Sequence, residues 1–255
     1  MKSLEKGVYV SAGDVLTAKL VEQSGFDGIW ISGFEASARL GLPDNGSITM
    51  TEMMNIARPI VDAVKIPVWV DADTGYGNFQ RTVSEFEKIG VTGVCVQDDL
   101  PHLKKNSLWG GKAELMSAEE FGEKIKVKRS KIKVMARTEA IIRGHGQREA
   151  NERLCHYLGC GADVILPHVR DVKDLIFYSP NPERNIAIVP TKFPYFTNQQ
   201  LFMAGYSMVI WANQTERCKI KATRDCLGSL KGSDCAEFIE SNLSATLDEM
   251  KGLTE

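Results

Sequence analysis

Residues 67–78 read Pro67-Val68-Trp69-Val70-Asp71-Ala72-Asp73-Thr74-Gly75-Tyr76-Gly77-Asn78. The opening run is short, apolar and rich in β-branched and aromatic residues, which reads as a strand buried on both faces. It ends abruptly in acid. Asp71 and Asp73 stand two apart on an extended segment, so their side chains share a face, and two carboxylates held together repel unless a cation or a proton separates them. Gly75 and Gly77 then give the backbone freedom to turn tightly beside a ligand. A strand buried along its length but acidic at its end is what a parallel barrel strand looks like where it opens onto a site.

Outward from this segment the same pattern recurs. Short apolar runs at 7–10, 28–32, 67–71, 93–97, 134–137, 164–168, 187–190 and 208–211 make eight strands. Between them helical periodicity predicts helices at 14–24, 51–64, 80–88, 117–129, 147–158, a short one after Asp171, then 198–203 and 215–227, with one more at 236–250. Thr51-Glu52 and Ser117 with Glu120 read as helix starts, and Gly25, Gly90 and Gly159 as helix stops. Strictly alternating strands and helices, eight times, give an α/β fold of the (β/α)8 TIM-barrel type, with residues 1–255 as one domain. The longest irregular stretches, 35–50 and 98–116, both follow strands and so fall on the catalytic face.

Composition narrows the function. Thirty-one Lys and Arg against 33 Asp and Glu leave a net charge of −2 with no basic block, which argues against nucleic acid as a partner. There is no uncharged apolar run of the ~18 residues a membrane span needs, and no apolar leader follows the first lysines, so the expected location is the cytoplasm. Cys95, Cys155, Cys160, Cys218, Cys226 and Cys235 lack zinc-site spacing and read as reduced structural thiols.

Polar residues gather where strands finish: Ser32, Asp71, Asp73, Gln97, Asp98, Arg137, Glu139, His168, Thr191, Lys192 and Asn213. One such residue means little, since strand ends meet water, but so many converging ends define a site. The Asp71/Asp73 pair, with only oxygen donors nearby, suits Mg²⁺, or Mn²⁺ as the second choice, better than zinc. Arg137 offers a rigid fork for an anionic group, and His168 a hydrogen bond or a proton. Lys104-Lys105-Asn106-Ser107, in the long loop after the fourth strand, could close over an anionic substrate and exclude water.

These residues carry a resemblance. From about residue 7 to 213 the chain resembles the isocitrate lyase/phosphoenolpyruvate mutase superfamily, through GFDGIWISGFEASARLGLPD (25–44), DADTGYGN (71–78), KKNSL (104–108), ARTEAIIRGHG (136–146), GADVILPH (161–168), and VPTKFPYFT with SMVIWAN (189–213). The resemblance implies Mg²⁺-dependent chemistry on a small phosphorylated or phosphono keto acid. Either a phosphoryl group moves between oxygen and carbon, as in phosphonate biosynthesis, or a C–C or C–P bond is cleaved. Carried over by motif, Trp30, Ser32, Gly33 and Phe34 would line the substrate pocket, and Asp44 would sit near the transferring group. Asp71 and Asp73 would hold the metal, with Gln97 reaching it through water. Arg137 and His168 would contact the phosphoryl group, and Lys104, Asn106 and Ser107 would belong to the gating loop.

The loop discriminates among activities. Lyases that resemble this chain carry a cysteine in a KKCGH or KRCGH motif as general acid, where Lys105 is here followed by Asn106-Ser107-Leu108. Phosphonopyruvate hydrolase shares Gly33-Phe34-Glu35 and Pro43-Asp44 but has Thr where Asn106 stands, so the Asn-Ser pair leans to the mutase branch. The alternatives are the hydrolase, a related phosphono or 2-oxo acid as substrate, and a non-catalytic barrel. The sequence departs from the mutase pattern Glu-Asp-Lys, reading Gln97-Asp98-Asp99 with about one extra residue before the loop lysine. Relatives form homotetramers, as dimers of dimers, that exchange a C-terminal helix, and 236–250 is the segment expected to do so.

Overall fold

Eight parallel strands form in the computed structural model, which describes residues 6–108, 113–175 and 184–254. They are β1 (Gly7–Ser11), β2 (Gly28–Ile31), β3 (Val68–Asp71), β4 (Gly93–Gln97), β5 (Lys133–Thr138), β6 (Val164–Pro167), β7 (Ala187–Ile188) and β8 (Met208–Trp211). Their order is β6-β5-β4-β3-β2-β1-β8-β7. A parallel bridge between Ile165 and Ile186, with Ile165 N donating to Asn185 O at 2.9 Å, brings β6 against the start of β7 and closes the ring.

Side-chain alternation along the strands builds two cores. Tyr9, Trp30, Trp69, Cys95, Met135, Leu166, Ala187 and Ile210 form a cluster of inward-facing residues. Their neighbours, such as Val68, Val70, Val94 and Val134, pack with the helices in the larger outer cluster. The inner cluster is a solid apolar plug, as barrel interiors are, and Trp69 within it is fully buried.

The helices are α1 (Val15–Gln23), α2 (Gly33–Arg39), α3 (Met50–Ala63), α4 (Phe79–Lys88), α5 (Ala118–Ile125), α6 (Gly146–Gly159), α7 (Asn198–Met203), α8 (Gln214–Ser233), α9 (Glu237–Asn242) and α10 (Leu247–Gly252). Several differ from the sequence expectation for local reasons. Ser32 leaves β2 and caps α2, accepting from Glu35 N, so part of the stretch expected to be irregular is helical. The cap of α3 is Thr49, not Thr51, in a reciprocal box with Glu52. Helix α6 runs through Gly159 and turns at Gly161, where φ is +99°. Helix α5 stops at Ile125, short of 129, and β7 stops at Ile188, short of 190. The segment after Asp171 is one 3₁₀ turn, Val172–Asp174, and another 3₁₀ turn, Pro101–Leu103, lies in the loop after β4. Part of that loop, 109–112, lies outside the described residues.

Helix α8 continues past Leu227 to a left-handed cap at Asp234, and the single helix expected over 236–250 is two short ones. Thr246 starts the second with its own capping box, which ends any continuous helix there. The end of the chain folds back on α1, where Lys19 Nζ donates to Leu253 O at 2.6 Å. Among the described residues no helix is long and apolar enough to cross a membrane.

Candidate active site

The site is the next layer of the barrel interior. Two residues on from the inward-facing Trp30, Trp69, Cys95, Met135 and Leu166 stand Ser32, Asp71, Gln97, Arg137 and His168, all buried and all lining one cavity at the carboxyl ends of the strands. Strand register sets them side by side: Asp71 pairs with Cys95, and Gln97 with Arg137. Val189 and Ala212, which also line the cavity, are two residues on from Ala187 and Ile210. The inward register would have found them.

Loops complete the cavity, which encloses about 60 Å³. Trp30, Phe34, Asp44, Asp73, Lys104, Asn106 and Ser107 all reach it. Of the pocket, metal and loop residues that the resemblance named only Gly33 does not, and a Cβ built on it would lie 3.0 Å from Asp73 Oδ1; of the polar strand ends, Asp98, Glu139 and Lys192 do not line it either. Asp73 itself takes a left-handed backbone, φ 49°, and its N–H donates to Asp71 Oδ1 at 3.2 Å. Lys124 secures that turn by donating to Thr74 O at 2.5 Å. Burial brings its ammonium down to about 8.

The loop after β4 is latched at two points. Lys104 Nζ contacts Asp44 Oδ1 and lies 2.9 Å from Asp73 Oδ1. Asn106 Nδ2 also donates to Asp44, while its Oδ1 accepts from Leu108 N at 2.8 Å. On the other side Ser107 Oγ donates to Glu139 Oε2 (2.7 Å) and accepts from Arg137 Nη2 (2.8 Å). Glu139, which the sequence showed only as one of many polar strand ends, joins Arg137, Ser107 and His168. The fully buried Asp98 fixes its backbone, accepting from Glu139 N at 2.9 Å and from Thr138 Oγ1 and Tyr157.

Charge is concentrated and nearly dry here. Burial, with Asp71 and Asp44 adding to it, pushes the Asp73 carboxyl up to about 7 against the pull of Lys104. Burial would lower the Lys104 ammonium, but Asp73 and Asp44 outweigh it and hold it raised. Burial would likewise raise Glu139, yet Arg137 and His168 hold it well below the usual carboxylate range. His168 is lowered by burial and by Arg137, so its ring is neutral near pH 7. Its Nδ1 lies 2.7 Å from Arg137 Nη2 and 2.8 Å from Glu139 Oε1.

Three buried polar atoms on cavity-lining residues have no hydrogen-bond partner: Asp73 Oδ2, Thr191 Oγ1 and Asn213 Oδ1. Unpartnered buried oxygens are costly unless a ligand or ion satisfies them. No group of three or more His, Cys, Asp or Glu among the described residues is arranged to hold a metal by protein ligands alone. The sixfold shell of Mg²⁺ does not require that, since the ion commonly keeps several waters and one or two carboxylates. Asp71 and the orphaned Asp73 Oδ2 fit this pattern.

A closed barrel with an anion-lined and cation-lined cavity at its strand ends, under a latched loop, is the architecture of a barrel enzyme for a small charged substrate. The comparisons make this specific. The family model for phosphoenolpyruvate phosphomutase matches residues 2–231. The chain belongs to the phosphoenolpyruvate phosphomutase family, a family of isomerases with hydrolase relatives. It is 33% identical to the phosphoenolpyruvate phosphomutase of Tetrahymena pyriformis over 237 residues, 88% of this chain and 79% of that one. It is 35% identical to the phosphonopyruvate hydrolase of Variovorax sp. over 235 residues, 87% of this chain and 81% of that one. The crystal structure of phosphoenolpyruvate phosphomutase from Streptomyces platensis superposes with a TM-score of 0.92 at 33% identity, covering 99% of this chain and 91% of that one.

Proposed function

We propose that this enzyme interconverts phosphoenolpyruvate and phosphonopyruvate by Mg²⁺-dependent intramolecular phosphoryl transfer, the C–P bond-forming reaction of phosphonate biosynthesis. The observation that carries this reading is the loop itself, latched by Lys104 and Asn106 to Asp44 and by Ser107 to Arg137 and Glu139. A phosphoryl group in transit is metaphosphate-like and reacts with any water present, so a mutase needs its cavity closed. In phosphonopyruvate the C–P bond breaks, its electron pair enters the enolate, and the C2 oxygen then takes the phosphoryl group.

Asp71 and Asp73 would hold Mg²⁺, with Mn²⁺ an alternative occupant of the same oxygen donors. When bound, the ion supplies positive charge against the negative charge of the enolate. The chain's own groups do the rest. Ser32 and the backbone at Gly33 receive the carboxylate end, with Trp30 and Phe34 as walls. Arg137 and His168 hold the phosphoryl oxygens; if Nδ1 accepts from Arg137, the His168 Nε2–H is the donor left for the ligand. Lys104 neutralises charge on the moving group, and Asp44, pinned between Lys104 and Asn106, keeps it in line. Thr191 Oγ1 and Asn213 Oδ1 offer two further polar contacts.

A second reading, phosphonopyruvate hydrolysis, is favoured by Gly33-Phe34-Glu35 and by the hydrolase relative. C–C lyase chemistry through a loop thiol is disfavoured, because Asn106 stands where the thiol would be and Cys95 is buried in the barrel plug. Phosphorus NMR of the purified protein with Mg²⁺ and phosphonopyruvate decides: phosphoenolpyruvate supports the mutase, inorganic phosphate with pyruvate replaces it with the hydrolase. Binding of Mg²⁺ and oxalate without turnover of phosphonopyruvate would instead point to a related 2-oxo acid.

The reading extends to assembly and location. None of the 20 residues of α8 is buried, and Leu227 (61%), Phe238 (56%) and Leu247 (83%) expose apolar surface on the C-terminal helices. Such a face suits burial between copies, in keeping with a homotetramer; sedimentation tests it. Six free cysteines suit a reducing cytoplasm.

A further inference from the structure

Where the mutase pattern that the chain resembles reads Glu-Asp-Lys this chain has Gln97-Asp98-Asp99, an amide in place of an acid on the cavity wall and an acid in place of a lysine. The structure shows what holds that acid. Asp99 forms a two-pronged pair with Arg143, Nε to Oδ1 at 2.9 Å and Nη2 to Oδ2 at 2.6 Å, with both side chains completely buried. The cation that faces position 99 here is thus Arg143, from the turn after β5. Arg143 Nη2 also donates to Lys105 O at 2.8 Å, so the pair is tied to the gating loop.

Asp99 has a second partner. Gln97 Nε2 donates to Asp99 Oδ2 at 2.8 Å, and an ionised carboxylate held by Arg143 can only accept, so the amide must offer it nitrogen. That leaves the carbonyl oxygen as the end of Gln97 available to the cavity, which it lines with Asp71 and Asp73. Its backbone is fixed there as well, Gln97 N donating to Asp73 O at 2.8 Å. Without Asp99 nothing in the amide's shape distinguishes its two ends.

We infer that Gln97 is a specificity-determining residue of the Asp71/Asp73 site, a neutral acceptor for a metal-bound water, and that Asp99, locked by Arg143, is the positioning residue that turns its oxygen inward. The inference rests on the Mg²⁺ reading above. A neutral acceptor orients the water without adding a third anion to a wall that already holds Asp71 and Asp73, so the metal is held chiefly together with an anionic ligand.

Calorimetric titration of Mg²⁺ with oxalate present tests both layers. In Asp99→Asn the Gln97 amide can flip and present its N–H₂ to the cation, and the Mg²⁺ dissociation constant should rise by about tenfold or more, the usual cost of losing a partner that orients a metal site. Gln97→Glu on that background should restore it, because a carboxylate has an oxygen at each end, needs no Asp99 to orient it and adds its own charge; Arg143 loses the Asp99 carboxylate in both variants, so the comparison reads the group at position 97, and the neutral Gln97→Met variant reads loss of the acceptor without any change of charge. Gln97→Met, with Asp99 and Arg143 intact, should show the same loss as Asp99→Asn and serves if that variant does not fold. Unchanged affinity in Asp99→Asn or Gln97→Met, or no recovery in the double variant, overturns the inference while leaving the metal reading standing. Failure of the wild-type protein to bind Mg²⁺ with oxalate overturns both.

Discussion

Lys104 Nζ lies 2.9 Å from Asp73 Oδ1 and at the same time pairs with Asp44, so one loop ammonium joins two carboxylates that belong to different parts of the cavity wall. Its side chain is only 3% exposed. The same cation that neutralises the site therefore also closes it, and loop position and site charge are set together.

Lys104→Met should separate these effects from folding. The methionine keeps the apolar stem and removes the charge, leaving Asp44 and Asp73 without their shared partner. Turnover of phosphonopyruvate is expected to fall by about 10² or more, the scale of losing one fixed electrostatic contact to a transition state. Limited proteolysis at 104–108 should become faster, with little change in melting temperature. Full activity with an equally protected loop would remove Lys104 from the chemistry.

Asn106→Ala breaks one of the two latches and spares the other, Ser107 on Arg137 and Glu139. Water should then compete for the phosphoryl group. The expected outcome is a larger share of turnovers ending in inorganic phosphate and pyruvate, read by phosphorus NMR as a product ratio. A uniform slowing with the ratio unchanged would mean that the Asn106 contact does not control water entry.

The barrel was legible because its signal is local: every strand is a short apolar run, and in β2 to β6 the inward residue two positions beyond the plug residue is where the polar end falls. Helix α2 was not legible because Ser32 reads equally well as the last strand residue or as a cap, and only the Glu35 N–H decides. The latch was hidden for a different reason. Ser107 and Glu139 are 32 residues apart, and Lys104 and Asp44 are 60 apart, so sequence can name the groups but not bring them together. Arg143 stood in sequence only as part of a motif, and its pairing with Asp99 across 44 residues gives the acid that departs from the pattern a buried partner.

Glu35, on helix α2, is a buried carboxyl whose titration bears on stability. It is 2% exposed, and burial, with Glu216 adding to it, pushes the carboxyl up from 4.5 to about 7 against the pull of the Ser11 hydroxyl and of Arg39 and Lys219. A carboxyl raised on folding is neutral in the native state, so its contribution is whole below pH 4.5 and is lost as pH rises toward and through 7. That difference amounts to at most about 3 kcal/mol. Glu35→Gln should therefore stabilise the protein at pH 8 and leave it nearly unchanged at pH 4.5, by denaturant unfolding at both values. Equal effects at the two pH values would show that Glu35 is not buried as a neutral acid.

Asp73 titrates in the same range, with a consequence for the metal rather than for the fold. Its carboxyl is held up to about 7 by burial and by Asp71 and Asp44, and Mg²⁺ requires the ionised form. Binding must then displace a proton below pH 7 but not above it. With oxalate present, Mg²⁺ affinity should be flat between pH 8 and 9 and fall by nearly tenfold per pH unit well below 7, with proton uptake or release measured by calorimetry in buffers of different ionisation enthalpy. In Asp73→Asn the pH dependence should vanish along with most of the affinity. An affinity that stays constant from pH 8 down to 6 in the unaltered protein would place the cation away from Asp73, and its orphaned Oδ2 would need another partner.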